Sequence, residues 1–182
     1  MTRSEFDKLS HVQISIMINE MRLEKKIHNI NMLPDEAMII DIISMYYFLL
    51  EDKNKKDCPV ISRAYKLHLL MNDELYALQT KELSDDEREA LSSTFNSHLA
   101  QIELMKANCP DKFVSPADRH DVIIFCLRDS VPKIESIKKV KQKQLQKYKL
   151  HNQLDESPPL AQKCIKHIQR LDEKIAFAQS YV

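Results

Sequence analysis

The chain has 182 residues, within the range of one domain, and its 43% of hydrophobic residues are enough to bury a core. Its 27 basic and 27 acidic side chains balance, so global charge argues for neither a nucleic-acid nor a membrane partner. It contains no glycine, which excludes a P-loop, a dinucleotide-binding fingerprint and a Gly-x-Ser-x-Gly nucleophile elbow.

The first fifty residues predict two helices. Leucine or isoleucine recurs every seven residues from Leu9 to Ile30, which predicts one amphipathic helix over residues 4–30. Pro34 and the two acidic residues after it are typical of a helix start. The second helix, over residues 35–52, is apolar on nearly every side and is therefore expected at the centre of the fold.

Two further helices follow with a short connection between them. Pro59 begins the third helix, which runs to about Glu82. Ser84 and Glu87 form a capping box for the fourth helix, which ends near Asn108. Similar lengths and a short connection predict an antiparallel pair. The core faces of the two helices are expected to contain Leu67, Leu70, Met71, Leu75, Leu78, Leu91, Phe95, Leu99, Ile102 and Leu104.

The C-terminal third predicts a fifth helix capped by Ser115, with a kink or break at Pro132. A new helical stretch is expected from Lys133 to about Asn152, and a last helix to about Gln179. Equal lengths predict that the last two helices pair antiparallel. The facing residues are expected to be Ile134, Ile137, Leu145 and Tyr148 against Leu160, Cys164, Ile168, Leu171 and Ile175.

These elements predict an all-α fold, a single-domain bundle of six to seven helices built from antiparallel helical hairpins. The single domain is expected to cover residues 1–182. A weak boundary near residues 109–115 offers a subdivision into a helical body, 1–108, and a C-terminal helical hairpin, 115–182.

A run of lysines is the sharpest local feature of the sequence, and it faces a single acidic residue, Glu135. The run predicts a basic ridge for nucleic acid, anionic lipid or an acidic partner, and its alternative is a solvated helix face. It contains no arginine, and Tyr148 is its one aromatic residue, so base stacking is not supported. The ridge consists of Lys133, Lys138, Lys139, Lys141, Lys143, Lys147 and Lys149.

Other chemistry-bearing residues have structural interpretations. Cys164 and His167 share a helix face at a spacing that suits zinc, but a structural site needs four ligands, and a buried thiol is the preferred interpretation. His120-Asp121 is similar to the dipeptide of metal-dependent phosphohydrolases in two residues only, and a helix first turn explains it. Residues 73–89 are acidic, either as a docking face or as favourable charge at a helix start. We expect no catalytic residue, metal or cofactor.

The glycine-free helical sequence, rich in Lys, Ile and Asn, resembles small effectors that intracellular bacteria inject into host cells. Asp172-Glu173, followed by Phe177 and Tyr181, is similar to some of their secretion tails. The resemblance implies the host cytosol as the compartment. Independently, four cysteines without a Cys-x-x-Cys pair and a charged N-terminal region favour a reducing, cytoplasmic setting.

The sequence therefore predicts a non-catalytic helical protein–protein interaction module, such as an adaptor, an inhibitor or an assembly subunit. Its partner would be another protein, and self-association stays open. One alternative is a polyanion binder that uses the lysine-rich helix 133–151 on nucleic acid or an anionic membrane. A second alternative is an enzyme whose site is assembled from residues far apart in the sequence.

Overall fold

The computed structural model describes residues 1–47, 58–151 and 159–181, without the side chains of 46, 47 and 149–151. Every regular element within these ranges is a helix, which confirms the all-α prediction. The α-helices are α1 Arg3–Phe6, α2 His11–Ile27, α3 Pro34–Ile42, α4 Pro59–Thr80, α5 Asp85–Asn108, α6 Arg119–His151 and α7 Pro159–Tyr181. A π-helical turn, Ile43–Tyr47, follows α3, and a 3-10 turn, Pro110–Lys112, follows α5.

The single helix predicted over residues 4–30 is wrong, because a helix start interrupts it at Ser10. The Ser10 hydroxyl accepts a hydrogen bond from the Gln13 amide at 3.3 Å, and the Gln13 side chain accepts one from the Ser10 amide at 2.8 Å. This reciprocal capping box begins α2 and separates it from α1. The apolar pattern does not show this break, because Phe6 of α1 is buried like the core residues of α2, and apolar positions therefore continue on both sides of Ser10.

The predicted helix over residues 35–52 begins at Pro34, as its sequence indicates, but changes its winding after Ile42. Residues 43–47 form the π-helical turn, and residues 48–52 lie outside the described part of the chain. Ile42 and Ile43 are fully buried, so the apolar character of this segment does correspond to a core position.

Helices α4 and α5 follow the predicted boundaries, and α4 packs against both α2 and α5. Leu67, Met71 and Leu75 form a buried cluster with Phe95 and Ile102, together with Leu23 of α2. Two of the residues predicted for this core are instead exposed: Leu70 at 47% and Leu104 at 62%. Both helices carry more leucine than their buried faces can hold.

In the polar contacts between α4 and α5, residues early in α4 contact residues late in α5, and residues late in α4 contact residues early in α5. Arg63 donates to the Gln101 side chain at 2.9 Å near the start of α4 and the end of α5. Near the other end, the Arg88 guanidinium donates to the Leu78 carbonyl at 3.1 Å. These contacts fix the first turn of α5 beside the last turn of α4.

Pro132 does not break the C-terminal region, since α6 is helical from Arg119 through to His151. The predicted new helix from Lys133 is therefore wrong as a separate element. Leu127 and Ile134, on the two sides of the proline, are both fully buried, and this packing outweighs the backbone hydrogen bond that proline removes. Ser115 accepts from the Asp118 amide at 3.2 Å, but it caps a turn, and the helix begins only at Arg119.

Helix α7 contacts α6 through buried and charged side chains. Leu171 and Cys164 are buried as predicted, whereas Leu160, predicted to face α6, is 57% exposed. The Cys164 thiol donates to the Lys141 carbonyl at 3.2 Å, and Lys138 forms an ion pair with Asp172. These two contacts also occur in opposite orders along the helices.

The chain divides into two compact units, each built from two stretches of sequence. The first unit combines Met1–Met32 with Glu51–His120, and the second combines Leu33–Leu50 with Asp121–Val182. The single domain over 1–182 stays a prediction, because compact units can still unfold cooperatively. Within the described ranges, no helix is both long and apolar enough to cross a membrane.

Candidate functional site

The solvent side of α4 exposes three large apolar side chains within two turns. Leu69 is 46% exposed, Leu70 is 47% exposed and Tyr76 is 62% exposed. Leu69 and Tyr76 are seven residues apart and so project in nearly the same direction from the helix, and Leu70 projects about 100° around the helix from Leu69. We call these three residues the α4 apolar face.

The sequence of α4 explains why these residues are left outside. Its opposite side already buries Leu67, Met71 and Leu75 against α2 and α5. A helix of this width can bury only one stripe of side chains against its neighbours. The remaining apolar residues of the helix therefore stay in contact with solvent, unless another surface covers them.

Acidic residues are concentrated in the sequence where α4 ends and α5 begins. Glu87 is used in the capping box with Ser84, at 2.9 Å from the Ser84 amide, and a carboxylate oxygen of Glu74 lies 2.9 Å from the His98 Nδ1 atom. Exposed Lys81 is the basic residue in the turn itself. The remaining acidic residues of this stretch, all exposed, are Asp73, Glu82, Asp85, Asp86 and Glu89, and we call them the acidic tip.

The seven lysines of the predicted basic ridge do not share one face. Lys139, Lys143 and Lys147 are exposed and lie four residues apart, so they form one stripe along α6. Lys138 is ion-paired with Asp172, and Lys141 donates to the Gln144 side chain at 3.1 Å.

Lys133, at the other end of the predicted ridge, is half-buried, and the side chain of Lys149 lies outside the described residues. That the ridge is a binding site stays a prediction, and it now concerns the exposed stripe of Lys139, Lys143 and Lys147 on α6.

A buried charge cluster in the first unit joins four helices, and sequence reasoning missed it. Glu20 of α2 is 7% exposed, and its carboxylate lies 2.8 Å from the Lys106 ammonium of α5 and 3.2 Å from the Arg119 guanidinium of α6. Arg119 also pairs with Glu24 at 2.9 Å. His68 of α4 is 2% exposed, with its Nε2 atom 3.7 Å from Glu20.

The charges of this cluster stabilise one another. Burial raises the pKa of Glu20, but the electrostatic interactions with His68 and Lys106 outweigh it and hold this pKa below its ordinary value. Burial lowers the pKa of Lys106, but Glu20 and Glu103 outweigh it and raise this pKa above its ordinary value. Both groups are therefore charged at neutral pH, and the cluster connects the helices through ion pairs.

A groove of about 880 Å³ lies in the first unit, between α1, the start of α4 and the segment after α5. Its volume suits a ligand or a peptide segment. Its charged walls are largely paired with one another: Asp111 with Lys112 at 2.6 Å, and the Met1 amine with Asp118 at 3.5 Å. Glu5 is held in the capping box of α1. These groups do not converge on a common reaction centre.

Other side chains that could carry chemistry have local structural roles. The Cys164 thiol is buried against α6, and His120 lies in the first turn of α6. Asp41 is ion-paired with Lys174. Among the described residues, no three His, Cys, Asp or Glu side chains group together in a way that could hold a metal ion.

Comparison of the chain with protein-family models, with curated proteins and with solved structures gives no significant match.

Proposed function

We propose that the protein is a non-catalytic helical protein–protein interaction module whose contact surface is the α4 apolar face together with the acidic tip. One observation carries this proposal: Leu69 and Tyr76, 46% and 62% exposed, project in nearly the same direction from α4, and Leu70, 47% exposed, lies next to Leu69 in the sequence. Single exposed leucines are common on protein surfaces, but adjacent large apolar side chains form a patch whose burial against a partner is favourable.

Charge complementarity indicates the chemistry of the partner. The acidic tip places carboxylates beside the patch, with Asp73 between Leu69 and Tyr76 along α4. A partner helix with an apolar stripe flanked by lysine or arginine would bury the patch and satisfy the carboxylates. Tyr76 is the expected centre of the contact, because tyrosine residues are enriched among the residues that dominate interface energetics.

The proposal fits an adaptor, an inhibitor or an assembly subunit, since each acts by covering or joining surfaces. The opposite order of contacts along α4 and α5, and along α6 and α7, supports an arrangement of antiparallel hairpins that would present α4 rigidly. All four cysteines are free, which supports a reducing, cytoplasmic setting.

The test is affinity capture with the tagged full-length chain in three forms, after nuclease treatment and at high salt. The first form is unmodified, and the second carries Leu69→Ser and Tyr76→Ser. The third carries Val140→Ser and Leu160→Ser, which remove similarly exposed apolar side chains from the second unit, at 55% and 57% exposure. Circular dichroism confirms that all three are folded.

We expect one protein to be retained by the unmodified and Val140/Leu160 forms and lost from the Leu69/Tyr76 form. The retained protein, once purified, should bind the unmodified chain directly and bind the Leu69/Tyr76 form at least tenfold more weakly. Equal retention by all three forms would show that the contact is elsewhere. Retention of nucleic acid alone, in an untreated control and at low salt only, would favour the lysine stripe of α6 instead.

A further inference from the structure

Helix α7 of the second unit carries a row of basic side chains that the proposed function does not use. Lys163, His167 and Arg170 are spaced four and three residues apart, so they lie on one face of the helix. Lys141 of α6 lines the same cavity as Lys163 and His167, together with Gln144 and Tyr148. The cavity has a volume of about 190 Å³.

Among the described residues, no carboxylate is paired with the basic side chains of this groove. The neighbouring cations Lys138 and Lys174 each have a carboxylate partner, Asp172 and Asp41 respectively. The described side chains that line the 190 Å³ cavity include no carboxylate, and Lys141 donates instead to the neutral Gln144 amide. Cations held close together without a counter-charge repel one another, and an anion bound between them would remove that repulsion.

The pKa of His167 is affected by these positive charges. Burial and the positive charges of Lys141, Arg170 and Lys174 lower the pKa of His167. Its other side faces a second cavity of about 360 Å³ that also contains Asp41 and Glu173. Asp41 is already paired with Lys174, and the net effect of burial and of the surrounding charges is to lower the pKa of His167.

We propose that the groove between α6 and α7 binds a phosphate dianion, held by Lys141, Lys163 and His167. Lysine is a common phosphate ligand, and the imidazole and the Gln144 amide add directional donors. The cavity is smaller than the 300–1,000 Å³ typical of sites for drug-sized ligands. It therefore suits one tetrahedral anion, either inorganic phosphate or the terminal phosphate of a small monoester.

The proposal does not rest on the proposed function, because the groove and the α4 apolar face belong to different units. It also differs from the predicted lysine ridge, since Lys163 and His167 come from α7 and the exposed stripe of Lys139, Lys143 and Lys147 lies outside the cavity. A bound dianion would favour the protonated imidazole, so binding should raise the pKa of His167.

The experiment follows the His167 ring proton by NMR in the full-length chain, its signal being identified by its absence from the His167→Gln variant. Sodium phosphate and glycerol phosphate are titrated in separate arms, each against sodium chloride at equal ionic strength. We expect saturable shifts with phosphate, a raised His167 pKa in the bound state, and no saturable effect of chloride. Saturation by inorganic phosphate alone would identify the free anion as the ligand, and saturation by both would admit small monoesters.

Matched variants locate the site. Lys163→Ala should weaken phosphate binding at least tenfold, whereas Lys139→Ala, which removes an exposed lysine from outside the cavity, should leave it within twofold. Both lysines are exposed, so neither variant should disturb folding. A His167 titration that phosphate and chloride affect alike would overturn the proposal, as would equal weakening by the two variants.

Discussion

The Glu20 carboxylate, on a residue that is only 7% exposed, lies 2.8 Å from the Lys106 ammonium, so α2 and α5 are joined by an ion pair whose carboxylate is buried and whose lysine is half-buried. Arg119 contacts the second carboxylate oxygen from α6, at 3.2 Å. A buried ion pair adds little net stability relative to an apolar contact of the same shape, but removing one of its partners leaves an uncompensated charge. This asymmetry makes Glu20 the most sensitive polar residue of the first unit.

Glu20→Gln should lower the free energy of unfolding by about 1–3 kcal/mol, because half-buried Lys106 and Arg119 then lose their buried counter-charge and keep only the more exposed carboxylates of Glu103 and Glu24. Urea denaturation followed by circular dichroism measures the change. The control is Glu103→Gln, which removes the other carboxylate of Lys106; the Glu103 side chain is 60% exposed. The control should lower the free energy of unfolding by less than about 1 kcal/mol. Equal costs for the two variants would contradict the role assigned to Glu20.

The stability that Glu20 contributes should depend on pH. Its pKa is held below the ordinary value of 4.5 in the folded chain, so its contribution is complete above about pH 4.5 and is lost as pH falls through the folded value. The difference in unfolding free energy between the unmodified chain and Glu20→Gln should therefore be constant at pH 5–7 and shrink below pH 4.5. Urea denaturation at a series of pH values measures it, and a difference that does not change with pH would contradict the assignment.

Ser84→Ala should destabilise the first unit by about 1 kcal/mol, since it removes the hydroxyl that accepts from the Glu87 amide at 3.3 Å. Ser93→Ala, at an exposed position in the middle of α5, is the control and should be neutral or slightly stabilising. Thermal unfolding of both variants measures the difference. A smaller loss for Ser84→Ala than for Ser93→Ala would show that the cap does not hold α5.

Pro132→Ala should stabilise the second unit by about 1–3 kcal/mol, because alanine restores a backbone amide that can donate within the continuous α6. Pro132 is exposed, so the substitution removes little packing. Urea denaturation again gives the change. A loss of stability would mean that the proline sets a bend on which the packing of α6 depends.

Local sequence signals predicted the helix boundaries well where a cap or a proline stands at the terminus. Pro34, Pro59 and the Ser84–Glu87 box all begin helices in the structure, because each acts through its own backbone within one turn. Ser10 with Gln13 is the same signal, yet the apolar heptad spanning it favoured one long helix. The capping box was the stronger local determinant of where the helix begins, because its two side chains accept hydrogen bonds from backbone amides at the helix start.

Features that depend on which helices meet could not be predicted. The buried position of Glu20 depends on Lys106 and Arg119, which are distant in sequence, and no local pattern marks it. Leu70 has the same chemistry as Leu67, but only the neighbours of α4 decide which one is covered. The sequence shows the lysines of the predicted ridge, but not the pairing of Lys138 and the contact of the Lys141 carbonyl, which depend on residues of α7.

The most direct test of the central claim, that α4 is the surface on which a partner docks, is hydroxyl-radical labelling of the chain with and without the captured protein. Tyr76 is 62% exposed in the free chain, and Tyr181, at the end of α7, is the internal reference. The account predicts that labelling of Tyr76 falls several-fold in the complex while labelling of Tyr181 is unchanged. Unchanged labelling of Tyr76 in a saturated complex would contradict it.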